Sequence, residues 1–145
     1  MIRKIIESDK ENYLEMAKDF YLSDAVLSPI PGQYLLDTFN ELMKSDNYVD
    51  AYIFEYNNNI AGYALLAKSF SQEAGGMVLW IDELYVKPKF RCRGIGHEFF
   101  KYLKENVHNV KRIRLEVEKN NKRAVSLYKK CGLIFLPYDQ MMRDL

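Results

Sequence analysis

Between Trp80 and Phe100 the chain reads WIDELYVKPKFRCRGIGHEFF, and three kinds of chemically useful group crowd into it. Asp82 and Glu83 are neighbouring carboxylates, each able to take up a proton. Lys87, Lys89, Arg91 and Arg93 are cations that suit a phosphate. Gly94 and Gly96 then remove side chains from a loop, just where Ile95, Phe99, Phe100, Leu103 and Val107 fall at helical spacing. The first N–H groups of a helix have no partner inside it and carry partial positive charge, so a glycine loop leading into them suits the close approach of a pyrophosphate. Taken alone, Arg91-x-x-Gly94-x-Gly96 is a short pattern that ordinary solvated turns also produce.

The elements that must position these groups are legible around them. The run before the loop is apolar and rich in strand formers, so strand, loop and helix come in order. The same order then repeats. Arg112 to Glu118 alternates Ile113, Leu115 and Val117 with charged residues, as a strand does; two asparagines come next, then Ala124, Leu127, Tyr128 and Cys131 at helical spacing, closed by Gly132.

The second unit, LEVEKNNKRAVSLYKKCGLIF, resembles the second signature of the GNAT superfamily of N-acetyltransferases, with Asn121, Ala124, Tyr128 and Gly132 in the family's order and spacing. The first unit resembles that family's acetyl-CoA pyrophosphate loop, with Arg91, Gly94 and Gly96 on its pattern. Two linked motifs, each preceded by a strand, are far more specific than either alone. Cys92 departs from the family, which often has a small or basic residue there; if only its backbone N–H is used, the departure matters little.

The resemblance implies a mixed α/β single domain over 1–145, with a twisted, mostly antiparallel sheet of about six or seven strands, splayed between the fourth and fifth and flanked by about four helices. It implies acetyl-CoA as cosubstrate and transfer of the acetyl group to a primary amine of a small molecule, peptide or protein by direct attack in a ternary complex. Backbone groups of Leu84, Tyr85 and Val86 would pair with the pantetheine arm and offer an N–H to the oxyanion. Arg91, Cys92, Arg93, Gly94, Ile95 and Gly96 would hold the pyrophosphate. Asn121 would cap its helix, touch the cofactor arm, or both. Tyr128 would act as general acid toward the departing thiolate, which a phenol with pKa near 10 can do while neutral at pH 7. Without the motif, Leu127, Tyr128 and Cys131 would read as a plain buried stripe.

Attack on a thioester needs a neutral amine, and an alkyl ammonium with pKa near 10 must first lose a proton. Glu83 stands first as the base, directly or through water, and Asp82 second. Regular strand alternation would send them to opposite faces, leaving one of them for a structural ion pair. His97 and His108 have no Ser, Asp or Cys partner at a suggestive spacing and read as surface residues. Cys92 beside two arginines is a conceivable nucleophile, set behind direct transfer. A module that binds acyl-CoA without turnover is the alternative reading. A dinucleotide-binding reading fails because the G-x-G-x-x-G order is missing.

The rest of the chain sets bounds. With 145 residues, 48% hydrophobic and 14% aromatic, it has the makings of one globular domain. A net charge of +1 argues against nucleic acid as a partner. No apolar run suits a membrane span or signal peptide, so a cytoplasmic location is the expectation. The cysteines, Cys92 and Cys131, form no metal or disulfide pattern. Eleven tyrosines leave room for a homodimer surface. Toward the start, Ile2 to Ile6 suggests a strand, Ser8 to Glu11 a capping box, and Tyr13, Met16, Ala17 and Phe20 a helix face. Ser28 to Gly32 breaks the pattern before a second helix carrying Leu35, Leu36, Phe39, Leu42 and Met43. In the resembling family these helices overlie the acceptor. Asn57-Asn58-Asn59 between two apolar runs marks a hairpin, Ser69 to Gly76 a polar connection, and Asp139 to Arg143 a last strand.

Overall fold

The computed structural model describes residues 1–145. Its centre is one sheet of five strands in the order β1 (Ile2–Lys4), β2 (Val49–Tyr56), β3 (Asn59–Ser71), β4 (Gly76–Val86) and β5 (Val110–Leu115). The first three junctions are antiparallel and the last, β4 with β5, is parallel. The hairpin between β2 and β3 turns on Asn57 and Asn58, whose φ values of 48° and 61° are the left-handed pair that a two-residue turn between twisted strands requires.

Two helices cover each face. α1 (Lys10–Tyr21) and α2 (Gly32–Lys44) lie on one, where Tyr13, Met16, Phe20, Leu35 and Phe39 pack with Ile53, Tyr63 and Leu65. On the other, α3 (Ile95–Asn106) sends Phe99, Phe100 and Leu103 against Phe54, Ala64, Leu79 and Ile81, with Tyr128 and Cys131 from the end of α4 (Lys122–Lys130) at the margin. These are the periodic positions of the sequence, buried as amphipathic helices bury them.

Two features of β4 position the site. Its pairing with β5 stops at Ile81 and Leu115, so the strands part beyond that point and no strand pairs Asp82 to Val86 on that side. Its pairing with β3 contains a bulge: Leu65 opposes Glu83 and Leu66 opposes Ile81, which leaves Asp82 without an opposite residue. Before the bulge, Leu79 and Ile81 face α3; after it, Tyr85 joins the α1 cluster and Glu83 bonds the α1 residue Tyr21. The extra residue shifts the pleat, so the alternation of β4 does not carry through position 82 and the side chains beyond it are re-aimed.

Three expectations need correction. The sheet has five strands rather than six or seven, because 139–143 forms none; that segment is exposed throughout, so no buried face offsets the entropy of ordering it. The strand expected over 112–118 occupies Val110–Leu115. Ser8 does not cap α1. A single 3-10 turn, Glu7–Asp9, precedes the helix, and Asp9 accepts the Ile6 N–H at 2.9 Å and the Arg3 guanidinium at 2.7 and 2.9 Å.

Candidate active site

Asp82 and Glu116 are the first residues past the last β4–β5 pair, so two carboxylates stand where the strands separate. Asp82 is exposed, yet desolvation within the fork raises its carboxyl above the ordinary range, and the charge of Glu116 adds to the rise. Glu83 is different. It is only 4% exposed, and its oxygens accept hydrogen bonds from Tyr21 at 2.6 Å and from Tyr63. Burial pushes its carboxyl upward, the two phenols pull it partly back, and the charge of Asp82 raises it again. Burial in turn drives the Tyr21 and Tyr63 hydroxyls well above the ordinary phenol range, so both keep their protons.

On the opposite face Leu84 and Val86 join the same cluster as Tyr128. The Tyr128 ring packs edge-on against Phe100 with centroids 5.8 Å apart, and its hydroxyl bonds no protein group. Burial, with a smaller contribution from Cys131, pushes it up to about 12. It is a neutral donor at physiological pH.

The loop after β4 leaves a run of backbone donors open. Arg91 donates from Nε to the Val86 carbonyl at 2.8 Å, folding the loop back on its strand. Cys92 and Gly94 adopt φ values of 61° and 80°, and α3 begins without a side-chain cap. The N–H groups of the six residues from Cys92 to His97 have no hydrogen-bond partner in the chain. A run of free donors at a helix start, beside Arg91 and Arg93, fits a pyrophosphate.

Gly96 has a packing role besides the one its sequence suggested. A Cβ there would lie 2.7 Å from Leu127 Cδ2, so its missing side chain lets α3 and α4 pack closely. Asn121 caps α4, its Oδ1 accepting the Ala124 N–H at 3.2 Å. Two contacts in this region were not foreseen: Arg123 donates to Cys92 Sγ at 2.9 Å, and His97 Nδ1 lies 3.6 Å from Cys131 Sγ. Both cysteines are free. Tyr21 and Tyr63, the partners of Glu83, were also missed, because they lie far away in sequence and no local pattern links them to it.

The model of the acetyltransferase (GNAT) family matches residues 11–133. This chain belongs to the GNAT family. Among curated relatives, this GNAT protein is 36% identical over 75 residues to a thialysine N-epsilon-acetyltransferase of Bos taurus, covering 50% of this chain and 44% of that one. It is 25% identical over 85 residues to a spermine/spermidine N(1)-acetyltransferase of Bacillus subtilis, covering 55% and 56%. The matched stretch thus spans about half the length of these relatives. Among solved structures, a possible acetyltransferase from Clostridium difficile superposes with a TM-score of 0.84 at 19% identity, covering 100% of this chain and 97% of that one. The aminoglycoside N-acetyltransferase AAC(6')-Iy in complex with CoA superposes at 0.80 and 14%, covering 99% and 93%. At these identities the likeness is one of fold.

The same fold carries no helix long and apolar enough to cross a membrane.

Proposed function

We propose that this chain is an acetyl-CoA-dependent N-acetyltransferase that moves the acetyl group to the primary amine of a small molecule in a ternary complex. The observation that carries the reading is the run of open N–H groups from Cys92 to His97, set beside the stretch of β4 that no strand pairs where β5 splays away. Bound there, acetyl-CoA supplies an acyl thioester; the rest is done by the chain. The loop from Arg91 to Gly96 takes the pyrophosphate, with Gly96 serving through its N–H and its close packing. The backbone of Leu84, Tyr85 and Val86 pairs with the pantetheine arm and gives an N–H to the oxyanion. Glu83 is the base, raised by burial toward the working pH, and Asp82 at the fork is its alternate. Tyr128 protonates the departing sulfur, and Asn121 holds the start of α4. Relatives named for thialysine and for spermine and spermidine support an amine acceptor. We place the protein in the cytoplasm, as a possible homodimer, with neither nucleic acid nor membrane as a partner.

Thiol release from acetyl-CoA across a panel of polyamines, aminoglycosides, amino acids and peptide N-termini tests this, with Tyr128→Phe beside wild type. Turnover of one amine class, reduced about tenfold or more in the variant, is expected. Silence across the panel, with acetyl-CoA still raising the melting temperature, would contradict it.

A further inference from the structure

Glu83 is buried and each of its oxygens accepts a hydrogen bond from a phenol, so those phenols are its bonded neighbours for passing a proton. The two phenols are not equivalent. Tyr63 is fully buried on β3 and leads nowhere. Tyr21, at the last residue of α1, is half-buried and is among the residues lining a cleft of about 520 Å³ between α1 and α2. One residue thus borders an open cleft and bonds a sealed carboxylate.

The chemistry of the cleft differs from that of the fork. Its walls include Leu14, Leu22, Ile30, Leu35 and Leu36, and its only charged lining residue is Lys18. A polycation seated there would meet a like charge and lose water to apolar walls.

We propose that Tyr21 is a catalytic residue that relays the proton of the attacking amine to Glu83, and that the acceptor enters through the α1–α2 cleft as an amine on an apolar skeleton. This rests on the acetyltransferase reading above. As the nitrogen bonds to the acetyl carbon, its N–H proton passes to Tyr21 Oη while the Tyr21 hydroxyl proton passes to Glu83 Oε1. The C–S bond breaks, its electron pair goes to sulfur, and Tyr128 protonates it. Tyr21 begins and ends neutral. Tyr63, bound to the other oxygen, holds the carboxylate in place throughout.

The test uses phenethylamine and spermidine as probes with acetyl-CoA, comparing wild type, Tyr21→Phe and Asp82→Asn across pH. We expect wild type to prefer phenethylamine in kcat/KM. Tyr21→Phe is expected to lower kcat about 100-fold with KM nearly unchanged. Its acid limb should vanish, leaving a rate that climbs toward the amine's own ionisation near 10. A merely structural disturbance would lower the plateau and leave the limb in place. Wild-type kcat and an unmoved limb in Tyr21→Phe would overturn the relay while acetyl transfer stands, the more so if Asp82→Asn abolishes turnover. A preference for spermidine would overturn the cleft assignment. No turnover of phenethylamine by wild type would overturn the inference, and silence across the wider amine panel would take the acetyltransferase reading with it. Should Tyr21→Phe fail to fold, wild type in mixed light and heavy water decides: a curved dependence of kcat is expected from two protons moving together, and a linear one contradicts the relay.

Discussion

The units β4–α3 and β5–α4 have the same outline, a strand running through a loop into a helix, and they differ at the hinge. Before α4, Asn121 closes the helix end with its own side chain, taking the Ala124 N–H at 3.2 Å while its carbonyl takes that of Val125 at 3.0 Å. Before α3 stands Gly94, at a φ of 80° and with no side chain to offer. A self-satisfied helix end has little left to bind a ligand; an open one with glycine at its cap forgoes only about a few tenths of a kcal/mol of capping and keeps its donors for something else. One hinge holds the fold, and the other is the one we propose for the cofactor.

The comparison breaks most severely if the open hinge is given a carboxylate. Gly94→Asp, a residue that tolerates positive φ better than most, would set a negative charge against the incoming phosphates. Acetyl-CoA affinity measured by calorimetry should fall about 100-fold, with a modest fall in melting temperature from the strain at that φ.

Strand β4 offers a contrast of similar size on its other face. Glu83→Gln keeps the shape and can still bond both phenols, but it removes the base we propose, so kcat should fall about 100-fold. Because burial raises the Glu83 pKa in the folded state, the native protein binds more protons than the unfolded chain between the unfolded value near 4.3 and the raised one. Stability is therefore lost as pH rises through that window. At neutral pH the variant should melt higher, by an amount on the order of 1 kcal/mol, and the gain should disappear below about pH 4. Thermal melts against pH read this directly.

Arg91→Ala cuts the tether to the Val86 carbonyl and removes a cation from the loop. A rise of about tenfold in the KM for acetyl-CoA is expected in initial-rate kinetics. The smallest kinetic effect belongs to the closed hinge. Asn121→Ala should cost about 1 kcal/mol in chemical denaturation and leave that KM within about threefold. A large KM effect there would show that Asn121 touches the cofactor as well as capping α4.

How much the residues disclose depends on how local each signal is. The Asn57-Asn58 turn, the faces of α1, α2 and α3, and the open loop are written in neighbouring residues, and each appears near its expected place. The bulge at Asp82 is not, because it depends on how β3 lines up with β4. That single misfit separates the face of Ile81 from that of Glu83, which meets Tyr21 and Tyr63. The Tyr21 and Tyr63 bonds to Glu83 span 62 and 20 positions, beyond any periodic pattern. The packing need for a glycine at 96 is not local either, since it comes from Leu127 on another helix. The strand expected over 139–143 had a plausible local composition and no buried face.

The measurement that tests the central claim most directly is the amide spectrum of the nitrogen-labelled protein as acetyl-CoA is added. The two-hinge account predicts the largest shifts at the backbone N–H groups of Cys92 to His97, with Ala124 and Val125 moving little. Saturable binding that leaves Cys92 to His97 in place while shifting other amides would contradict it.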